Sequence, residues 1–132
     1  DEDLLLQMPF RGNCGNWVLG HIVSSRNSIL GFVGEDKLWG DEERALYSFD
    51  SEPITGAECP HFALEKLIAD LDAAGECLIA KLESMDDSDL DENLDEKTIL
   101  GDRVRFMVWH ESYHTGQFEY IRQLAGKDDK VI

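Results

Sequence analysis

The amino-acid sequence predicts an all-α fold, an up-down bundle of helices, and three observations predict it. Residues of like character recur at three- and four-residue steps in three long stretches. Clusters of Gly, Pro and acidic residues separate those stretches, and no segment alternates apolar and polar side chains as a half-buried strand would. No internal repeat is present, so helices with one apolar face each must bury those faces against one another.

The first long helix is expected from about Asn13 to Leu30, capped by Asn13, with Trp17, Gly20, His21, Ser24, Ser25 and Ser28 along one side. From Gly31 to Pro60 the breakers Gly34, Gly40, Pro53 and Gly56 predict a long, structured connection, with a turn or two of helix near Glu42–Leu46. The second long helix is expected over His61–Glu83, where Leu64, Leu67, Ile68, Leu71, Leu78 and Leu82 form an apolar stripe. Gly75 inside that stripe costs about 1 kcal/mol relative to Ala, which points to a close crossing with another element. The acidic stretch from Met85 to Lys97 has no apolar period and reads as a second connection. The last helix is expected from Thr98 to about Leu124, stopped by Gly126 and Lys127, with Arg103, Met107, His110, His114, Gln117 and Ile121 on one face. A stable up-down bundle usually has four helices, and only three long ones are legible. Leu4–Met8 reads as the tail of an earlier helix or its linker, so either a first helix is missing from the chain or a partner subunit covers the gap.

The chain has 132 residues, which suits one domain spanning 1–132. Its 12 Lys and Arg stand against 28 Asp and Glu, a formal net charge of −16, which repels nucleic acid and anionic membranes alike. The densest acidic run, Asp86 to Glu96, reads as a solvated loop or helix flank. Cys14, Cys59 and Cys77 are odd in number and form no CxxC pair, so each is expected to be a small buried apolar residue in a reducing compartment. The start has neither the basic residues nor the apolar run of a signal peptide, and no stretch approaches a membrane span, so a cytoplasmic protein is expected.

The chemistry concentrates in Trp109-His110-Glu111-Ser112-Tyr113-His114-Thr115-Gly116-Gln117. Two histidines four residues apart on a helix share one face and can share one ion. A third ligand is needed, and His21 leads because it lies on the sparsely polar side of another helix; three neutral imidazoles suit Zn, Ni, Fe or Cu. Taken alone, His21 would read as a core residue bonded to a neighbour. Three of the four histidines on inward faces change that reading, while His61, beside Pro60, reads as exposed or capping.

Asn16-Trp17-Val18-Leu19-Gly20-His21-Ile22 resembles the N-W-x-x-G-H-I segment of the DinB/YfiT-like metalloprotein superfamily, and His110 to Gln117 is similar to that family's H-x-x-x-H-x-G-Q segment. The two motifs come in the family's order and roughly its spacing. The resemblance implies a four-helix bundle with a divalent transition metal, Zn, Ni or Fe, held by His21, His110 and His114 at one end of the core. It further implies a small-molecule substrate and thiol-dependent transfer or isomerisation, with a low-molecular-weight thiol such as bacillithiol or mycothiol as cosubstrate. The family's first long helix has no counterpart before Asp1. Alternatives are a metal-dependent hydrolase and a metal-binding stress-response protein without turnover.

His110-Glu111-Ser112-Tyr113-His114 is also a literal H-E-x-x-H, in which the Glu of a zinc protease acts as general base. Against that reading, no H-x-x-G-x-x-H extension follows and no strand to bind a peptide is legible. Glu111 is then expected as a carboxylate beside the ligands or on the surface. Trp17, one turn before His21, is a core anchor or a pocket wall; Ser25 and Ser28 can turn a hydroxyl into the pocket or into solvent. Gln117 is placed to hold a ligand imidazole, and Arg103 to meet an anionic substrate group or an ordinary acidic partner. The broad Leu64–Leu82 stripe needs more than two neighbours, from which a homodimer is expected.

Overall fold

A computed structural model describes residues 2–8 and 12–127. Its helices are α1 (Glu2–Leu5), α2 (Gly15–Phe32), α3 (Asp41–Ala45), α4 (Leu64–Glu83) and α5 (Leu100–Leu124), with a 3-10 helix over Asp87–Asp91. No strand occurs among the described residues, where Asn93 and Ile99 form one isolated bridge. No described helix is long and apolar enough to cross a membrane. Asp1 lies outside the described residues.

The long helices fall where the periodicity places them, and their ends differ for local reasons. Cys14, not Asn13, occupies the capping position of α2, with extended backbone and no side-chain cap. The helix runs two residues past Leu30 because its stop signal lies farther on. Gly34 takes a φ of +80°, Glu35 N–H donates to Leu30 O at 2.9 Å, and Gly34 N–H bonds Gly31 O, the pairing that closes a helix on a left-handed residue. At Gly126, with φ +78°, the same pairing ends α5. Helix α4 starts at Leu64 rather than His61, and the carboxylate of Glu2 accepts the Leu64 N–H, so α1 caps α4. Of the expected Leu4–Met8 segment, only Leu4 and Leu5 are helical. The acidic connection is not wholly irregular: it holds the 3-10 turn, over which Leu100 N–H reaches back to Glu92 O.

Helix α2 is the central element. Both α4 and α5 pack on it, with no more than marginal contact between the two. One core cluster gathers Trp17, Val18, Val23, Trp39, Tyr47 and Leu67; a second gathers Ile29, Leu30, Ala74, Leu78, Leu100 and Met107. Of the expected α4 stripe, Leu67 and Leu78 are buried while Ile68 stands 46% exposed. The crossing expected at Gly75 is made by a side chain: a Cβ there would meet Arg26 Nη1 at 2.7 Å, where the guanidinium passes over to Leu71 O.

Two buried asparagines pin the Gly31–Pro60 connection to α2. Asn27 bonds both the N–H and the carbonyl of Trp39, each at 3.0 Å. Asn16 donates to Phe62 O at 2.8 Å and accepts from the Tyr47 hydroxyl at 3.1 Å, which in turn accepts the Phe62 N–H at 2.7 Å. Burying such polar groups is tolerable only because each finds a partner, and the result fixes one path for the connection. The three cysteines are unpaired, but only Cys14 is fully buried; Cys59 and Cys77 are half-buried, which corrects the expectation for those two.

Candidate metal centre

Helices α2 and α5 bring His21, His110 and His114 together. Their Nε2 atoms converge, with His21 and His114 each 3.1 Å from His110. His110 and His114 are buried and His21 is half-buried. At octahedral to tetrahedral angles, imidazole nitrogens about 2.0–2.1 Å from a zinc-like ion stand about 2.8–3.4 Å apart, and the two pairs that include His110 already have that spacing.

Hydrogen bonding alone does not satisfy the three rings. His21 Nδ1 lies 2.7 Å from Tyr47 O, and a carbonyl can only accept, so Nδ1 carries the hydrogen and Nε2 is bare. His114 Nδ1 lies 2.6 Å from Gln117 Oε1, with the same consequence. His110 can offer one Nε2 hydrogen between two bare nitrogens, and its Nδ1 is buried without a partner among the described residues. At least one lone pair therefore faces the others unanswered, whereas a cation accepts all three. Burial, followed by the neighbouring His114 and His21, pushes His110 down to about 4, and burial also lowers His114. The lone pairs of His110 and His114 are thus available at neutral pH, and the three-imidazole donor set fits a divalent transition metal.

The other sequence-predicted residues divide. Gln117 holds His114 as expected. Trp17 is a core anchor, 5% exposed, stacked on the His21 ring at 4.7 Å and 11°, with its indole N–H on Ser51 Oγ. Ser28 does not serve the site: it donates to Ser24 O and accepts from Arg44. Ser25 is half-buried and enters none of the hydrogen bonds around the histidines among the described residues. Arg103 is half-buried in the first turn of α5, and its Nε has no partner among the described residues.

Glu111 pairs with Arg26 of α2. Its oxygens take Arg26 Nε at 2.7 Å and Arg26 Nη2 at 2.8 Å, so both are committed to a guanidinium. A base that must take a proton from water needs a free oxygen beside that water. In this structure the Glu of the H-E-x-x-H letters is the ion-pair partner of Arg26.

Sequence reasoning missed Tyr47 and Arg26. Tyr47 contributes a backbone carbonyl, for which no sequence signature exists; Arg26 meets Glu111 across 85 residues of chain. The motif around His21 now has a physical reading. Asn16 anchors the connection, Trp17 stacks on the ligand, and Gly20 leaves room for Tyr47, whose ring carbons would overlap any Cβ at that position.

A family profile described as the DinB superfamily matches residues 1–118. The chain belongs to the DinB superfamily. Both histidine motifs of this DinB-like chain fall inside the matched span, as does the Tyr47 connection. No curated protein and no solved structure matches it. Family membership and a three-histidine cluster of metal-binding geometry thus coincide in one helical chain.

Proposed function

We propose that this DinB-like chain is a metal-dependent enzyme that promotes attack of a low-molecular-weight thiol on a small electrophilic substrate. The convergence of three Nε2 atoms with two of the Nδ1 atoms already bonded carries the reading, since among the described residues it leaves lone pairs from three protein ligands. Three ligands suit an ion with open positions, whereas closed structural sites take four. Bound there, Zn, Ni or Fe would lower the pKa of a thiol or of water at an open position. His21, His110 and His114 hold the ion; Tyr47 O and Gln117 Oε1 fix the rings; the stacked Trp17 keeps water from the His21 side.

Room for a substrate lies beside His114. A pocket of about 320 Å³ is lined by Asn13, Val18, Tyr113, Gly116, Gln117 and Tyr120, near the lower end of the range for small-molecule sites. None of the three histidines lines it; Tyr113, edge-on to the His114 ring at 5.2 Å, and Gln117, bonded to His114 Nδ1, stand between the pocket and the ligands. The reaction class favours thiol transfer over hydrolysis because Glu111, the obvious base for water, is held by Arg26.

Elemental analysis should find about one first-row metal per chain, lost in both His21→Ala and His114→Ala and retained in His61→Ala. Metal-loaded protein should consume thiol in the presence of an electrophile, and His110→Ala should abolish this. Full metal occupancy in both ligand variants would end the proposal, and metal binding without turnover of any thiol or ester would leave a binding protein in its place.

A further inference from the structure

Resting on the metal reading above, we propose that Tyr47 is a positioning residue for the His21 ligand, so that the connection between α2 and α4 sets the geometry of the metal centre as much as the helices do. His21 is the one ligand on α2, and it is half-buried where its two fellow ligands are buried. A side chain on a helix can turn about its own bonds, so something must hold the ring with Nε2 facing α5. That hold is the carbonyl of Tyr47, 2.7 Å from His21 Nδ1. It selects the tautomer in which Nε2 is bare, and it selects the rotamer as well.

A carbonyl in a connection is a dependable acceptor only if the connection itself is fixed. Tyr47 is fully buried and is held at both ends. Its ring sits over Gly20, one residue before the ligand, and tilts against Trp39 at 5.6 Å and Phe62 at 5.7 Å. Its hydroxyl is clamped between Asn16 Oδ1 and Phe62 N–H. Burial pushes that phenol up to about 12, so it remains a donor throughout the working range of pH. The ring thus rests on the same turn of α2 that carries His21, and the carbonyl reaches back to the ligand. Gly20 is required by contact: any Cβ would drive the ring, and the carbonyl with it, away from α2.

The test separates positioning from mere stability. In metal-free protein, two-bond ¹H–¹⁵N correlation of the imidazoles should show His21 protonated at Nδ1 and bare at Nε2. Tyr47→Phe keeps ring and carbonyl but loses the hydroxyl bonds, so it should melt at a lower temperature, keep the parental tautomer and lose less Co(II) affinity than Gly20→Ala. Gly20→Ala keeps all three ligands, yet should lose the Nδ1–H signature and weaken Co(II) binding by about tenfold or more, the usual scale for losing the partner that orients a ligand. Should Gly20→Ala not fold, Tyr47→Ala removes the ring from the same contact and carries the same expectation. Parental tautomer and Co(II) affinity in that variant would overturn the proposal. So would a Tyr47→Phe variant that loses as much affinity as Gly20→Ala. A parent that binds no Co(II) would instead overturn the metal reading, and the tautomer comparison would still decide the role of Tyr47.

Discussion

Replacing Glu111 by Gln tests the site reading most sharply, because two accounts of the same five letters give opposite results. The Arg26–Glu111 pair is bidentate, and its side chains are 21% and 28% exposed. Exposed ion pairs contribute about 0–1 kcal/mol, whereas breaking a buried pair costs about 3–5 kcal/mol. A pair about one quarter exposed lies between. Glutamine keeps one acceptor oxygen for the guanidinium, and Arg26 keeps its bond to Leu71 O, so the loss should be about 1–2 kcal/mol. For a chain of this length that lowers the melting temperature by about 3–10 °C. Metal content and thiol consumption, measured well below the transition, should stay at the parental level, since neither carboxylate oxygen touches a ligand. A protease would behave in reverse, with unchanged melting and a collapse of activity. Metal-dependent peptide cleavage that disappears in Glu111→Gln, at parental stability, would refute the reasoning.

Gln117→Leu should leave His114 in place but weaken metal binding by about 10–100-fold, read by competition with a chromogenic chelator, because the ring loses the acceptor at Nδ1. In the metal-free chain, His110 binds protons less readily folded, at about 4, than at its ordinary 6.5, so its share of stability is present above 6.5 and is lost as pH falls towards 4. Urea titrations across that window should show His110→Gln with a flatter pH dependence than the parent. We also propose a homodimer, since Ile79 at 60%, Val108 at 69% and Trp109 at 61% exposure leave apolar area on α4 and α5 open to solvent; a compact monomer in light scattering at micromolar concentration would refute it.

The parts of the site that repeat along a helix were legible in the sequence. His110 and His114 are four residues apart, and Gln117 follows His114 by three, so helical geometry alone places them on one side. His21 could be joined to them only by counting histidines and by resemblance, since nothing local says which element faces α5. Ser28 and Arg103 show the limit of that reasoning. Both lie on plausible faces, yet Ser28 is taken by Arg44 from the connection between α2 and α4, and Arg103 sits in the first turn of α5, two turns from His110. In a chain with 28 carboxylates, no charge pattern singles out Glu111 as the partner of Arg26.

The spacing within the first motif explains why four of its residues act as a unit. Asn16 and Gly20 are four apart on one strip of α2, and Trp17 and His21 are four apart on the adjoining strip. The first strip receives the connection, through the Asn16 bonds and the Tyr47 ring; the second presents the ligand, backed by the indole. The bond from His21 Nδ1 to Tyr47 O crosses from one strip to the other. Metal affinity and the docking of the connection therefore share one free energy: an ion that binds only when the ring is held must also favour the docked connection, by linkage. Metal bound to His21 should accordingly slow amide exchange at Phe62, whose N–H lies on the Tyr47 hydroxyl and not on the metal centre.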